Sequence, residues 1–363
     1  MKRSRLTVAV ILLAGSMQIF SSCRKDEPCA TCPPTGPDTT SHEFTWTIDT
    51  LGDGASSALH DVAIINDTLV YAVGEIYIKD SSGQVEPTPY CLAKWNGLNW
   101  KPIKLYYRGR DSQGNDYIAP LVSVKGVFAP NAMDVWLAPG SIFHWNGRDS
   151  LTEFSFNRLT LADPNATVEK LWGISSTNLY GVGGAGTIVH FNATAWQKLE
   201  SGTTLDIRDI YGSGNEILAV ASNDAEKRLL SIQGTSVSAL SDSGLANSLY
   251  GIWFDPGKHY YAVGAGIHEK QSLSDKLWSR FPSGVVTNYL SGGVRGAGVN
   301  DVFVAGSFFE IAHFNGNSWH NYNNVVPFSS GTVGRLAIKG NLIITVGLTG
   351  PKAIAILGRR RMI

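Results

Sequence analysis

Three short stretches carry residue types that chemistry uses. Cys29-Ala30-Thr31-Cys32 has the spacing of a redox dithiol or of half a zinc site. A reactive dithiol sits at a helix N-terminus in a βαβ setting, which Pro33-Pro34 does not supply. Zinc needs two further ligands at suitable spacing, and none follow nearby. The pair is expected to form a small local disulfide in an oxidising compartment, and the distant Cys91 to pack as a small hydrophobe. Gly181-Val182-Gly183-Gly184-Ala185-Gly186 matches the glycine pattern of a dinucleotide site letter for letter. That chemistry requires a helix opening directly after the glycines, so that its N-terminus meets the pyrophosphate. The following Thr187-Ile188-Val189-His190-Phe191 alternates like a strand, so the glycines read as a hairpin turn. His268-Glu269 lacks the second histidine of a zinc protease. No metal or cofactor is expected from any of these.

The elements around them explain the pattern. Gly74, Pro139, Gly183, Ala221, Gly264, Gly306 and Gly347 each close the second strand of a recurring phrase, at intervals of 65, 44, 38, 43, 42 and 41 residues. A fixed period near 42 means a solenoid or a propeller. Each phrase holds two alternating apolar stretches, a third carrying Ile-x-His-aromatic, and a fourth that begins with tryptophan. Period-two alternation between Gly and Asn turns is the strand signal, and no helical period competes with it. The fold class is therefore all-β: a seven-bladed β-propeller of four-stranded antiparallel blades. The last unit lacks its tryptophan strand, and His42 to Ile48 supplies one from the other end, closing the ring and removing open sheet edges. Trp46, Trp100, Trp196, Trp278 and Trp319 become equivalent interblade packing residues. His144, His190, His313 and, by a shifted alignment, His268 lie in different blades, too far apart to share an ion, and are expected to bond turns.

The front of the chain carries an address. Lys2, Arg3 and Arg5 precede an apolar run from Leu6 to Gly15, too short to span a bilayer and built like a secretory signal. Residues 24 to 41 are first charged and then rich in Pro, Thr and Gly, a composition suited to an extended tether. The expected division is 1–22 signal peptide, 23–41 tether, 42–363 propeller. With 30 basic and 30 acidic residues the chain has no net charge, which argues against nucleic acid as the main partner.

Two resemblances add to this reading. Phe20-Ser21-Ser22-Cys23 resembles a bacterial lipobox, which implies lipidation at Cys23, and Arg24-Lys25-Asp26-Glu27 looks like the surface-export signal of Bacteroidetes-type lipoproteins. Together they imply an outer-membrane lipoprotein displayed at the cell surface, with a periplasm-facing protein as second choice. The repeats resemble kelch-type and related bacterial propellers, although a double glycine closes the second strand only at Gly183-Gly184. The Tyr/His/Cys set of copper-oxidase propellers and the Ser-x-Asp-x-Gly-x-Thr-Trp box of sialidase-type propellers are not found. The resemblance thus implies architecture and no particular activity.

Strand parity says where a site belongs. Loops between second and third strands and connections between blades leave one face, so the insertions Glu75–Tyr90 and Leu105–Ser123 are expected there, side by side. The second offers Tyr106, Tyr107, Arg108, Arg110, Asp111, Asn115, Asp116 and Tyr117, types that suit stacking on sugar rings or packing against protein. Calcium held by Asp111, Asn115 and Asp116 is the metal alternative, but the spacing misses the usual loop. Innermost strands begin on the same face and bring His60, Asp61, Lys125, Glu169, Lys170, Arg208, Asp209, Arg295 and Arg335 to the channel mouth, for ligand contact or for salt bridging. The first function reading is a surface-anchored, non-enzymatic binding module for a glycan or an envelope protein. The alternative is a polysaccharide hydrolase or lyase using Asp61, Glu169 and Asp209, which would need paired carboxyls ~5–9.5 Å apart.

Overall fold

Short alternating strands between tight turns cannot bury both faces in one sheet, so the sheets stack in a ring. The computed structural model describes residues 38–53, 56–282, 284–322, 325–328 and 330–361. The signal peptide, Cys23, most of the tether and the Cys29–Cys32 pair lie outside these residues.

Seven sheets are present among the described residues, each built on a four-stranded antiparallel meander. Blade 1 runs Ala58–Asn66, Leu69–Ile76, Tyr90–Trp95 and Trp100–Ile103. Blade 7 takes Thr332–Lys339, Leu342–Thr349 and Lys352–Arg360 from the end of the chain and Phe44–Leu51 from its beginning. Phe44 pairs with Arg360 and Leu51 with Ala353 in one uninterrupted register, so the early strand completes the last blade. Ahead of it, Thr40 is already fastened to blade 6, donating its N–H to Asn315 O at 3.1 Å and its hydroxyl to Asn300 O at 2.6 Å.

The core lies between blades rather than within any of them. One apolar cluster fills each interface, for example Leu59, Val62 and Ala93 against Ile344, Val346 and Leu357 between blades 1 and 7. The others fill the remaining six gaps. Cys91 is a free, buried thiol in the interface of blades 1 and 2, and burial pushes its pKa up to about 11. The strand-three histidines bond turns: His144 meets Asp134 at 2.9 Å, His190 meets Asn178 at 2.9 Å and His313 meets Asp301 at 3.0 Å. In each case the partner opens or adjoins strand two of the same blade. His268 does so differently, accepting the Ala246 N–H at 3.1 Å. Gly184–Gly186 is a single 3-10 turn leading into the strand Ile188–Phe191, so no helix faces those glycines.

The second insertion departs furthest from the repeat. The second insertion is not an open loop but a β-hairpin, Tyr106–Arg110 and Asp116–Pro120, annexed to the outer strand of blade 2. Tyr106 and Tyr107 run parallel to Leu151 and Thr152, making blade 2 a six-stranded sheet.

Candidate functional site: the channel and the rim hairpin

Five innermost strands share one irregularity. Pairing with strand two skips a residue between Leu59 and Asp61, Ile207 and Asp209, Leu249 and Gly251, Ser291 and Gly293, and Val333 and Arg335. A bulge re-aims the residues beside it, and Asp61, Asp209 and Arg335 each stand directly after one. Asp61 of blade 1 accepts two bonds from Lys170 of blade 3, at 2.7 and 2.8 Å, and one from the Val127 N–H at 3.1 Å. Asp209 of blade 4 receives a bidentate Arg295 from blade 6 at 2.8 and 2.9 Å, plus the Ile252 N–H at 3.1 Å. Arg335 reaches from blade 7 to the carbonyls of Arg208 and Tyr250, at 2.6 and 3.0 Å, and lies 3.6 Å from Asp209.

Burial alone would raise the Asp209 carboxyl. Arg295, then Arg335 and Lys170, outweigh it and hold the group down at about 2. Burial lowers Lys170 from its ordinary range, with Asp61 opposing. Both carboxylates are fully buried. Thus five of the nine expected mouth residues, Asp61, Lys170, Asp209, Arg295 and Arg335, form cross-channel braces. Asp61 and Asp209, which a glycosidase reading would use, have their oxygens turned to cations and out of solvent. The other four sit looser. His60 lies 3.2 Å from Lys125 and 3.8 Å from Glu75, Arg208 pairs with Asp206 at 3.2 Å, and Glu169 is exposed.

The rim hairpin is pinned at its base. Leu105 and Leu121 are both buried in the interface of blades 1 and 2, and the Leu121 N–H donates to Leu105 O at 2.8 Å. Tyr107 packs on Phe143 with ring centroids 5.1 Å apart, and Thr152 donates its hydroxyl to Tyr106 O at 3.0 Å. Tyr117 lies over Gly109, where a Cβ would come within 2.3 Å of the phenol ring, so only glycine admits this arrangement. Burial, and then the bond to Tyr117, raises the Tyr107 hydroxyl. At the tip, Asp111 accepts from Asn115 N–H at 2.8 Å, Asn115 Nδ2 at 3.0 Å and Gln113 N–H at 2.9 Å. Its oxygens hold the turn closed. Arg110 pairs with Asp116 at 2.8 Å. Among the described residues no group of three or more His, Cys, Asp or Glu is arranged to hold a metal.

Between the hairpin and the loops of blade 2 lies a cleft of about 520 Å³. Arg108, Arg110 and Arg158 line it and no carboxylate does. Its walls are Tyr107, Tyr117, Phe143 and Phe154, with Pro139 and Leu159 at the margin. Phe154 is 44% exposed and Tyr117 43%. The first insertion touches the root of the second, where Glu86 pairs with Lys104 and the ammonium stands 4.6 Å over the Tyr90 ring. The expected residues Tyr107, Arg108, Arg110 and Tyr117 therefore meet at the cleft, while Asp111 and Asn115 hold the tip. Phe154, Arg158 and Leu159 had not been expected there. The exposed Phe154 of the fourth strand of blade 2 was the available signal, in the stretch Leu151-Thr152-Glu153-Phe154-Ser155-Phe156.

The ring and its braced channel define the class: a seven-bladed β-propeller. No family model matches the chain, and no curated protein matches it. Solved structures do. "YCF48 bound to D1 peptide" is 14% identical, covering 92% of this chain and all of that one at a TM-score of 0.62. The WD40 propeller domain of Doa1 is 10% identical, covering 87% and 97% at 0.59. YCF48 from Cyanidioschyzon merolae is 12% identical, covering 86% and 98% at 0.58. At these identities the likeness concerns the fold alone.

Proposed function

We propose that this protein is a lipid-anchored binding module of the outer membrane, displayed at the cell surface, which captures a glycan or protein partner in the rim cleft. The carrying observation is the cleft itself: Arg108, Arg158 and the Asp116-paired Arg110 stand beside aromatic rings, on a hairpin added to the repeat. Long elements on a rigid scaffold are where binding residues concentrate. One propeller of similar fold was solved with a peptide bound. Acylation at Cys23 supplies the anchor, since each buried CH₂ contributes ~0.8 kcal/mol and several chains hold without a transmembrane helix.

The test has two arms. Lipidated wild-type protein and Arg108→Glu, Tyr117→Ala protein are used for capture from the native envelope and on a glycan array; the wild type retains a partner that the variant releases. Equal retention by both removes the cleft from the reading. Fractionation of a Cys23→Ala strain moves the protein out of the membrane, and an unchanged distribution removes the anchor.

A further inference from the structure

The strand Asp116–Pro120 is bonded on one side only, to Tyr106–Arg110. Main-chain bonds at the tip (Asp111 to Asn115) and at the base (Leu121 to Leu105) fix the phase of the ladder. Gly109 opposite Tyr117 and Tyr107 opposite Ala119 fall in step with those bonded pairs. The alternate residues turn their main chain outward. Asp116 and Ile118 therefore present free N–H and C=O groups along the rim, and Pro120 stands where the next outward N–H would be. Ile118 is 62% exposed.

Of the two arginines on the neighbouring strand, Arg110 is matched by Asp116 of the edge itself, which leaves Arg108 as the unmatched cation. Arg108 lies opposite Ile118 on the next strand, so the two side chains share a face of the sheet. Among the described residues Arg108 has no carboxylate partner, and the Arg158 guanidinium donates to Pro164 O at 3.3 Å.

We propose that this edge receives an extended acidic peptide segment as a seventh strand of blade 2, bonded to the main chain of Asp116 and Ile118, with its carboxylates directed at Arg108. The inference rests on the binding reading above and names its partner class. A row of alternating donors and acceptors is complementary to another peptide main chain. It offers a sugar ring nothing specific, and Ile118 is no stacking platform. A second copy of this chain is the less favourable occupant, because it would bring its own unmatched Arg108 to the same edge.

The test uses the mature chain in detergent and calorimetric titration with peptides of about eight residues: one alternating Glu and Val, one alternating Lys and Val, and the acidic one with a central proline. The acidic peptide binds, and the other two bind at least about tenfold more weakly. Ile118→Pro removes an outward N–H that no hairpin bond uses. It weakens the acidic peptide about tenfold while leaving the circular dichroism and melting unchanged. Arg108→Glu reverses the preference between the Glu and Lys peptides. Equal binding of acidic and basic peptides overturns the proposal. So does full affinity in Ile118→Pro, or self-association in sedimentation that Ile118→Pro abolishes. If these peptides fail while Arg108→Glu, Tyr117→Ala still loses an envelope or glycan partner, the cleft reading stands and the added strand falls.

Discussion

The Nδ1 atoms of His42 and His313 stand 2.9 Å apart, a distance at which only one can carry a hydrogen. Asp301 accepts from the other side of His313, which puts that ring's proton on Nε2 and leaves its Nδ1 to accept from His42. This bond, with the Thr40 bonds and the Tyr322 hydroxyl donating to His42 O at 2.8 Å, fastens the segment leading into the ring-closing strand onto blade 6. His320 and Arg360 lie on the same side, and Asp301 is the buried acid that faces them. Burial, then His313, His320 and Arg360, lower His42 to about 4. Burial first, against Asp301, lowers His313 as well.

A folded-state pKa below that of the unfolded chain means that the unfolded chain binds more protons, so stability rises with pH across the interval. The contribution is complete above 6.5 and is lost as pH falls from there towards 4. A proton on His313 Nδ1 would also set two N–H groups head to head. Melting temperature is therefore expected to fall between pH 7 and pH 4, and less steeply in His42→Gln. Parallel curves for the two proteins would show that the contact carries no linkage.

The channel braces give a second expectation. Arg295→Met leaves the Asp209 carboxylate buried with Arg335 and the more distant Lys170 as its cations, and breaking such a pair costs about 3–5 kcal/mol. Replacing both partners, as Asp209→Leu with Arg295→Met, removes the stranded charge and recovers part of that loss. The Asp209 carboxyl is held down from 3.8 to about 2, so its contribution is present above 3.8 and disappears as pH falls through that interval. Urea unfolding at pH 7 and pH 3 measures both effects. A double change no better than the single one would mean that packing, not charge, holds the site.

The ring, its closure and the turn-bonding histidines were legible because the repeat writes them locally, about forty residues at a time. Phe44–Leu51 could be assigned to blade 7 because the last phrase stops short and the first strand has no phrase of its own. Salt bridging at the mouth was one of two readings, but which residues pair was not legible. Asp61 and Lys170 are 109 residues apart, and Asp209 and Arg295 are 86 apart, so nothing near either member of a pair announces the other. Whether a charge at the start of an inner strand faces solvent or a partner across the channel depends on the bulges, which alternation does not reveal. The hairpin was half legible: Tyr106 to Arg110 and Asp116 to Pro120 have strand length, but Asp111-Ser112-Gln113-Gly114-Asn115 between them reads equally as an open loop.

Packing between inner strands yields a third expectation. Trp253 of blade 5 is buried and covers Gly296 of blade 6, where a Cβ would lie 2.6 Å from the indole. Gly296→Ala forces the indole or the backbone aside and costs about 1–3 kcal/mol. Gly334→Ala is the control, because a Cβ there meets nothing nearer than 3.7 Å. Thermal unfolding of the two variants should separate them clearly, and adding Trp253→Phe to Gly296→Ala should return part of the loss. Equal melting of the two alanine variants would contradict the close contact.

The base of the rim hairpin allows binding to be separated from folding. Leu105 and Leu121 stay in the interface of blades 1 and 2 and are joined by a main-chain bond of 2.8 Å. A two-residue Asn-Gly turn can therefore replace residues 106–120 without moving either leucine. The loss is the cover that Tyr107 gives Phe143, about 1–2 kcal/mol of apolar burial, together with the bonds from Tyr106 to Ser150 and Thr152. The shortened chain is expected to melt cooperatively a few degrees below the wild type and to retain none of the envelope, glycan or peptide partners. A shortened chain that fails to fold would make the hairpin a structural part of blade 2. One that folds and binds as before would place the binding surface elsewhere on the ring.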